Sequence, residues 1–234
     1  MEKIGIIGAM AQEVADLKDK MDGISITTRA GMDFFSGSLE GKQVVVVQSG
    51  IGKVNAAICT QILIDAFQVD GLINSGIAGS LNNEINIGDV VISTDTVQHD
   101  FKILGLGDFS PVGQIPGLDV LAFPADAHLV EQAYLACQRV NPDIQAFKGR
   151  IATGDQFIAS KEAKDDIVFH LDPLCTEMEG GAVGQVAYLN QVPYVVIRAI
   201  SDKADGSAVM DFEEFQEKAI DHSIKLVLEL LKVL

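Results

Sequence analysis

The residues of this 234-residue chain whose positions best suit chemistry are five acids. Each falls at the predicted C-terminal edge of a strand or at the start of the helix that follows. In an open α/β sheet these edges converge on one crevice, so we expect the five side chains to lie close together. They are Glu13, Asp155, Glu177, Glu179 and Asp202.

Clustered carboxylates without a metal or a cationic partner suit the cleavage of a glycosidic bond, because its transition state resembles an oxocarbenium cation. One carboxyl group donates a proton to the leaving group, another activates water, and a third can hold sugar hydroxyls. Crowding in a semi-buried cleft raises the pKa of at least one of them, which then acts as an acid. By spacing alone, solvated surface acids remain an alternative, and Glu13 could simply favour a helix dipole.

Other catalytic patterns are missing from the sequence. The four histidines lie far apart and are not spaced with Cys or Asp as metal ligands are, so we expect no metal and no cofactor. No Gly-x-Ser-x-Gly elbow occurs, and no GxGxxG follows the first apolar run. Residues 49–53 resemble a phosphate-binding loop, but Val54 stands where that loop needs Ser or Thr, so we prefer an ordinary glycine-rich turn.

The elements that must position the acids follow from the apolar pattern. Short runs rich in β-branched residues predict buried strands, and apolar residues at three- and four-residue spacing predict helices. Strands are predicted over residues 3–9, 43–48, 69–73, 88–97, 146–152 and 194–197, with a β-hairpin over 24–39. Helices are predicted over residues 11–21, 54–67, 126–140 and 160–170, after the acidic-glycine corner 177–181, and from Asp211, with Glu214 completing a capping box, to the C-terminus.

This alternation implies a mostly parallel, twisted sheet with helices on both faces. No linker-like tract interrupts residues 1–234, so we expect a single domain. Residues 99–124 are rich in glycine and proline and lack a helical period. An irregular segment of this length is typical of a lid, a binding loop or an interface.

Composition limits the partners. The formal net charge of −16 argues against nucleic acid and disfavours a polyanionic substrate. The apolar runs are too short to span a bilayer, so no membrane is expected as a partner. Three cysteines form no close pair and residues 1–4 do not begin a signal peptide, which favours a reduced, cytoplasmic location with the cysteines in the core.

Five motifs stand in the order of a known family. They are residues 5–10 with Glu13, residues 75–79, 153–158, 177–180 and 201–205. Together they closely resemble the 5′-methylthioadenosine/S-adenosylhomocysteine nucleosidases of the purine nucleoside phosphorylase superfamily, over essentially the whole chain. The resemblance implies a three-layer α/β/α sandwich with a mixed, partly barrel-like central sheet, working as a homodimer without a cofactor.

The resemblance also implies an activity. The protein would hydrolyse the N-glycosidic bond of 5′-methylthioadenosine and S-adenosylhomocysteine, and of 5′-deoxyadenosine, releasing adenine and the 5′-substituted ribose. This reaction serves methionine salvage and the recycling of S-adenosylmethionine by-products. Glu13 would activate the attacking water on the side of the ribose opposite adenine. Asp202 would be the acid at adenine N7, and Glu179 would hold the ribose hydroxyls.

The remaining motif positions would bind the substrate. Met178 would pack beneath the sugar, Phe157 would stack on adenine, and the backbone of Ile158 would read the edge of the ring. Gly79 and Ala78 would line the pocket floor, and Ser201 would orient Asp202. Met10 would be a further substrate-binding residue.

In the family the long loop lends residues to the neighbouring subunit's pocket, where they cover the 5′-alkylthio group. Ile103, Leu106 and Pro116 fall at the matching places. Leu106 stands where an aromatic residue is common, and Ile77 replaces a small polar residue of some members. These differences leave the preference among 5′ groups open.

Two other functions remain as alternatives. A nucleoside phosphorylase needs a cationic phosphate pocket, but residues 8–12 and 73–75 offer no arginine and Glu13 would repel phosphate. A non-catalytic nucleoside sensor is expected to have lost at least one of Glu13, Glu179 and Asp202, and all three are present. The sequence therefore favours hydrolysis.

Overall fold

The computed structural model describes residues 1–103 and 111–234, which form ten strands and six helices. The strands are β1 (Lys3–Gly8), β2 (Asp22–Arg29), β3 (Met32–Leu39), β4 (Lys42–Gln48), β5 (Gly71–Ser80), β6 (Val90–Gln98), β7 (Phe123–Pro124), β8 (Ala146–Thr153), β9 (Cys175–Glu177) and β10 (Tyr194–Asp202). The helices are α1 (Ala11–Asp19), α2 (Lys53–Phe67), α3 (Ala127–Val140), α4 (Lys161–Leu171), α5 (Gly180–Asn190) and α6 (Ala208–Val233).

Five of the strands pair in a ring and form a closed barrel. Around the ring, β5 pairs with β10, β10 with β6, β6 with β8, β8 with β9, and β9 again with β5. From β5 the sheet continues outward through β1, β4, β3 and β2. The mixed, partly barrel-like sheet that the resemblance implied is therefore confirmed.

The expectation of a mostly parallel sheet, drawn from the alternation of elements, is wrong. Among the strand pairs of the described residues, β10–β6, β2–β3, β3–β4, β5–β9 and β6–β7 are antiparallel. Two of these are hairpin pairs, and two others close the barrel. The short strand β9, which the sequence pattern did not predict, contributes one of the barrel-closing pairs.

Helices cover both faces of the sheet and complete the three layers. One core cluster joins α1, α3 and α6 to the sheet, and a second joins α2 and α5 to the opposite face. The central strands are correspondingly buried: all nine residues of β10 are buried, as are the four valines of β4. Each buried aliphatic side chain contributes about 1.5–3 kcal/mol to stability. The three cysteines are buried in the core, as predicted.

Two predicted element boundaries need correction. β5 does not stop at Ile73 but continues to Ser80, because β10 and β9 pair with it on either side along the glycine-containing stretch. Helix α6 begins at Ala208, before Asp211, so the predicted capping box is wrong. Ser207 precedes the helix, and its hydroxyl donates to Asp211 Oδ2 at 2.6 Å within the first turn.

Candidate active site

A cavity of about 140 Å³ opens where β5 and β10 end, next to the N-termini of α1 and α5. All the residues of this chain that were predicted to catalyse or to bind substrate within one subunit line it. These are Met10, Glu13, Ala78, Gly79, Phe157, Ile158, Met178, Glu179, Ser201 and Asp202. The lining is completed by Ala9, Ile51, Ile77, Gln156, Thr176, Glu177 and Phe212.

Of the five acids expected to converge, Asp155 does not line the cavity. It is exposed beyond the end of β8, and its Oδ1 accepts a hydrogen bond from the backbone N–H of Lys53 at 2.8 Å. Asp155 therefore caps the N-terminus of α2. The other four acids line the cavity together, as the convergence of strand ends led us to expect.

Glu13 lies in the first turn of α1 with its carboxylate enclosed by backbone donors. Its Oε2 accepts hydrogen bonds from the N–H groups of Ala9 at 2.7 Å and Met10 at 2.9 Å. Its Oε1 accepts from the N–H of Ile77 on β5 at 3.3 Å. Burial raises the pKa of Glu13, while the charge of Arg198 and the three N–H donors oppose the rise. Glu13 thus both caps its helix and faces the cavity.

Asp202 is the last residue of β10 and also lines the cavity. Its Oδ1 accepts from the Ala204 N–H at 2.8 Å, and its Oδ2 accepts from the Ser201 hydroxyl at 2.9 Å. Burial raises the pKa of Asp202, and the nearby carboxylates of Asp211 and Asp205 add to the rise. The Ala204 N–H and the Ser201 hydroxyl oppose this rise, because hydrogen bonds donated to a carboxylate favour its ionised form.

Glycines on β5 make room for both carboxylates. A side-chain carbon on Gly76 would lie 2.6 Å from Glu13 Oε1, and one on Gly79 would lie 2.6 Å from Asp202 Oδ1. Any larger residue would displace the acids.

Glu179 stands at the N-cap position of α5, and its Oε1 accepts from the Gly52 N–H at 2.9 Å. Burial raises its pKa to about 7, and the adjacent charge of Glu177 adds to this rise. Glu177 is engaged elsewhere: it accepts hydrogen bonds from the Gly180 N–H at 2.7 Å, from the Thr153 hydroxyl and from Arg198.

Arg198 is the residue that sequence reasoning missed. It is completely buried in the middle of β10, contacts Glu177, and lies 3.5 Å from Glu179 Oε2. Burial acts to lower its pKa, but the carboxylates of Glu177, Glu179 and Glu13 raise it overall. The expectation that the acids lack a cationic partner is therefore wrong. The sequence feature that could have revealed Arg198 is an arginine within a predicted apolar strand, four residues before Asp202.

An aromatic pair borders the open side of the cavity. Phe157 is 50% exposed, and its ring lies edge-on to that of Phe212, with centroids 5.8 Å apart. An exposed ring face beside a cavity is suited to stacking on a flat ligand. Phe212, from the first turns of α6, was not predicted because its helical spacing resembles that of a core residue.

Ile103 and Pro116, two of the three positions predicted to serve a neighbouring subunit, do not line this cavity. Ile103 is half-buried and Pro116 is exposed. Leu106 lies outside the described residues. Of the residues the structure describes, no group of three or more His, Cys, Asp or Glu side chains is arranged to hold a metal ion. In the same part of the chain, no helix is both long and apolar enough to cross a membrane.

Comparisons with known proteins agree with this architecture. A family model described as the phosphorylase superfamily matches residues 3–232. A 5′-methylthioadenosine/S-adenosylhomocysteine nucleosidase of Anoxybacillus flavithermus is 43% identical over 225 residues, covering 96% of this chain and 95% of the relative.

Solved structures agree as well. The Neisseria meningitidis nucleosidase, in complex with methylthio-immucillin-A, superposes with a TM-score of 0.94 at 36% identity, covering all of both chains. The Colwellia psychrerythraea nucleosidase, in complex with adenine, gives a TM-score of 0.93 at 40% identity, covering 98% of this chain and 94% of the other. The chain belongs to the 5′-methylthioadenosine/S-adenosylhomocysteine nucleosidase family of the phosphorylase superfamily.

Proposed function

We propose that this protein hydrolyses the N-glycosidic bond of 5′-methylthioadenosine and S-adenosylhomocysteine, and also of 5′-deoxyadenosine. Water adds its oxygen to the ribose C1′, the bond from C1′ to adenine N9 breaks, and adenine leaves with a proton. The products are adenine and the free 5′-substituted ribose. The observation that carries the proposal is the pair Glu13 and Asp202, which line one cavity and lie against two different glycines of β5.

Glu13 supplies the base in this mechanism. Its three backbone donors and the nearby charge of Arg198 favour the ionised carboxylate, which can accept a proton from water as the oxygen approaches C1′. Burial works in the other direction and makes this carboxylate more basic than an exposed one. Both properties are needed by a base that must remain ionised near neutral pH.

Asp202 supplies the acid. Adenine is a poor leaving group until it is protonated, so a proton delivered to N7 lowers the barrier to bond cleavage. The raised pKa of Asp202 supports this role, and the Ser201 hydroxyl fixes the orientation of its carboxyl group. Ser201 itself lies within 3.3 Å of the Ala78 carbonyl, which ties the acid to β5.

The remaining lining residues hold the nucleoside between the two acids. Glu179 binds the ribose hydroxyls, Met178 packs beneath the sugar, and Met10 borders the same side as Glu13. Phe157 stacks on adenine while the backbone of Ile158 reads the ring edge. Gly79 and Ala78 form the cavity floor. Support for these assignments comes from the position of each residue in the cavity wall.

Hydrolysis fits this site better than phosphorolysis. A phosphate cosubstrate needs unpaired cationic or N–H donors. In the part of the chain that the structure describes, no lysine, arginine or histidine lines the cavity, whereas four carboxylates do. Arg198 lies behind the wall and is already bound by Glu177, with Glu179 close by.

We propose that the protein works as a homodimer. Ile51, Val54 and Ile58, spaced by three and four residues, expose apolar side chains on one face of α2 and the turn before it. Because Ile51 also lines the cavity, this face reaches the substrate site. A second copy packed there could contribute its Ile103, Leu106 and Pro116 to cover the 5′ group.

Helix α5 extends the same face. Tyr188 and Leu189 are exposed near its end, and the amides of Gln61 on α2 and Asn190 on α5 exchange hydrogen bonds of 2.9 and 3.3 Å. We name Ile51, Val54, Ile58, Tyr188 and Leu189 the α2/α5 patch. A contiguous apolar patch of this kind is typical of a protein interface.

One nucleoside-hydrolysing domain over residues 1–234 and a cytoplasmic location complete the proposal.

Product analysis tests the reaction. Each of the three nucleosides is incubated with the protein, and the products are separated by chromatography with mass detection. The proposal predicts adenine together with a free reducing sugar, namely 5-methylthioribose, S-ribosylhomocysteine or 5-deoxyribose. A sugar 1-phosphate would instead identify a phosphorylase, and bound but unchanged nucleoside would identify a sensor.

A further inference from the structure

Lys164 is the one buried lysine among the residues that the structure describes, with 8% of its surface exposed. It lies in the first turn of α4, outside the cavity wall. Burying an ammonium group is costly unless hydrogen bonds compensate it. Burial indeed lowers the pKa of Lys164. Such a residue needs a reason for its position, and its partners supply one.

The Lys164 ammonium bridges the ends of two strands. Its Nζ donates to the Ser80 carbonyl at 3.0 Å and to the Lys203 carbonyl at 2.7 Å. Ser80 is the last residue of β5, and Lys203 directly follows β10. The pairing of these strands shifts register between Ile200 and Asp202, so the ladder is irregular next to Asp202 and ends there.

The Lys203 carbonyl belongs to the same peptide group as the Ala204 N–H, which donates to Asp202 Oδ1 at 2.8 Å. One peptide is therefore held at its oxygen by Lys164 and, at its nitrogen, holds the carboxylate. Ala204 adopts a left-handed backbone with φ of 50°, a conformation that costs a non-glycine residue about 1 kcal/mol. External contacts are needed to keep the chain in that conformation.

We propose that Lys164 is a positioning residue for Asp202, acting through the peptide between Lys203 and Ala204. The inference rests on the proposed role of Asp202 as the acid. A hydrogen bond to a carbonyl polarises the peptide and strengthens the bond that its N–H donates. Lys164 thus fixes the direction of the carboxylate and at the same time stabilises its ionised form.

Other charges act on this pair and stay in place when Lys164 is changed. Asp205 and Asp165 lie near the ammonium, as does the side chain of Lys203. Asp205 and Asp211 act on Asp202. Removing the Lys164 charge alone therefore leaves Asp202 among like charges, and its pKa should rise.

The variant Lys164→Met removes the charge and the donors but keeps an unbranched apolar side chain. Lys161→Met, three residues earlier on the same helix and exposed, is the matched control. The ¹³C shift of the Asp202 carboxyl carbon, assigned by its loss in Asp202→Asn, is followed against pH. We expect its midpoint to rise by at least about half a pH unit in Lys164→Met, to stay unchanged in Lys161→Met, and to return toward wild type in Lys164→Arg.

Kinetics give a second readout. In Lys164→Met, kcat for adenine release should fall about tenfold with KM changed less than about twofold, and the loss of activity at high pH should move to higher pH. An unmoved Asp202 midpoint overturns the inference, whatever happens to thermal stability. If Lys164→Met does not fold, Lys164→Gln is judged by the same midpoint. A wild-type protein that releases no adenine would refute the proposed function instead, and the midpoint still decides the role of Lys164.

Discussion

Glu13 and Asp202 are both buried carboxylates, but their surroundings favour opposite tasks. Burial raises the pKa of both groups, and hydrogen bonds from nearby donors oppose the rise at both. The difference lies in the neighbouring charges: the cation Arg198 acts on Glu13, whereas the carboxylates of Asp211 and Asp205 act on Asp202. A cation beside one carboxyl group favours its ionised form, and like charges beside the other favour its protonated form, so the first can act as a base and the second as an acid. The division of labour thus follows from the charges of Arg198, Asp205 and Asp211, which do not line the cavity.

Replacing the acid should stop the reaction without preventing binding. Asp202→Asn keeps the shape of the side chain but has no proton to give to adenine, so kcat should fall by about 10²–10⁴. Adenine affinity, measured by calorimetry, should change little. Asp155→Asn is the control, because Asp155 ends a strand in the same way but caps α2 outside the cavity. Near-normal turnover by Asp202→Asn would remove Asp202 from the mechanism.

Glu179 makes stability depend on pH. Because its pKa is raised from 4.5 to about 7 by burial, its contribution to stability is fully present below the lower value and is lost as the pH rises through the upper one. The Glu179→Gln variant has no titratable group at this position, so it lacks this pH dependence. Between about pH 5 and pH 8, the free energy of unfolding of the variant should therefore rise by up to about 3 kcal/mol relative to that of the wild type.

Thermal unfolding of the ligand-free proteins at the two pH values measures this change. Glu162→Gln, an exposed acid on α4, serves as the control. If the difference in Tm between Glu179→Gln and wild type is the same at both pH values, the buried carboxyl group of Glu179 is not the source of the pH dependence.

At the scale of elements, the site depends on how closely β5 approaches its neighbours. Gly79→Ala would place a carbon 2.6 Å from Asp202 Oδ1 and 3.0 Å from the Ala204 side chain, so the acid has to move. A displacement of about 1 Å costs roughly 100-fold in rate. We expect kcat of Gly79→Ala to fall by about that factor.

The matched control is Gly206→Ala, because a side chain at Gly206 meets nothing within 4 Å. Steady-state adenine release and thermal unfolding are measured for both variants. Unchanged kcat in Gly79→Ala would mean that this part of β5 does not constrain Asp202.

The elements also show how far sequence patterns reach. Apolar runs located β1, β4 and β10, because buried central strands carry β-branched residues almost without interruption. The extension of β5 through its glycines was missed because glycine normally weakens a strand, and here the glycines are required by carboxylates from other elements. The three-residue strand β9 has no periodicity to detect, although it closes the barrel.

The site shows the same limit. Its acids were located because each follows a predicted strand or begins a helix, and the family motifs supplied their roles. Arg198 was missed because a strand pattern does not reveal which buried charge meets it from a distant segment. Asp155 was wrongly included, since its position at a strand end is equally suited to capping the next helix.

At the scale of the whole molecule, the α2/α5 patch predicts the mode of assembly. Val54 is 69% exposed in the single chain, so Val54→Asp should cost little stability in a monomer but place a charge in a dimer interface. We expect light scattering to find a monomer, and adenine release to fall because the neighbour's loop is lost. Phe169→Asp, at an exposed apolar position on α4, should remain dimeric. A dimeric Val54→Asp variant would place the interface elsewhere.

Hydrolysis by opposed carboxylates is the central claim, and adenine release from 5′-methylthioadenosine in phosphate-free buffer tests it most directly. The site predicts full turnover without phosphate and no increase when phosphate is added, because the cavity wall of the described residues offers carboxylates and no cation to a phosphate ion. Turnover that requires added phosphate would contradict the account.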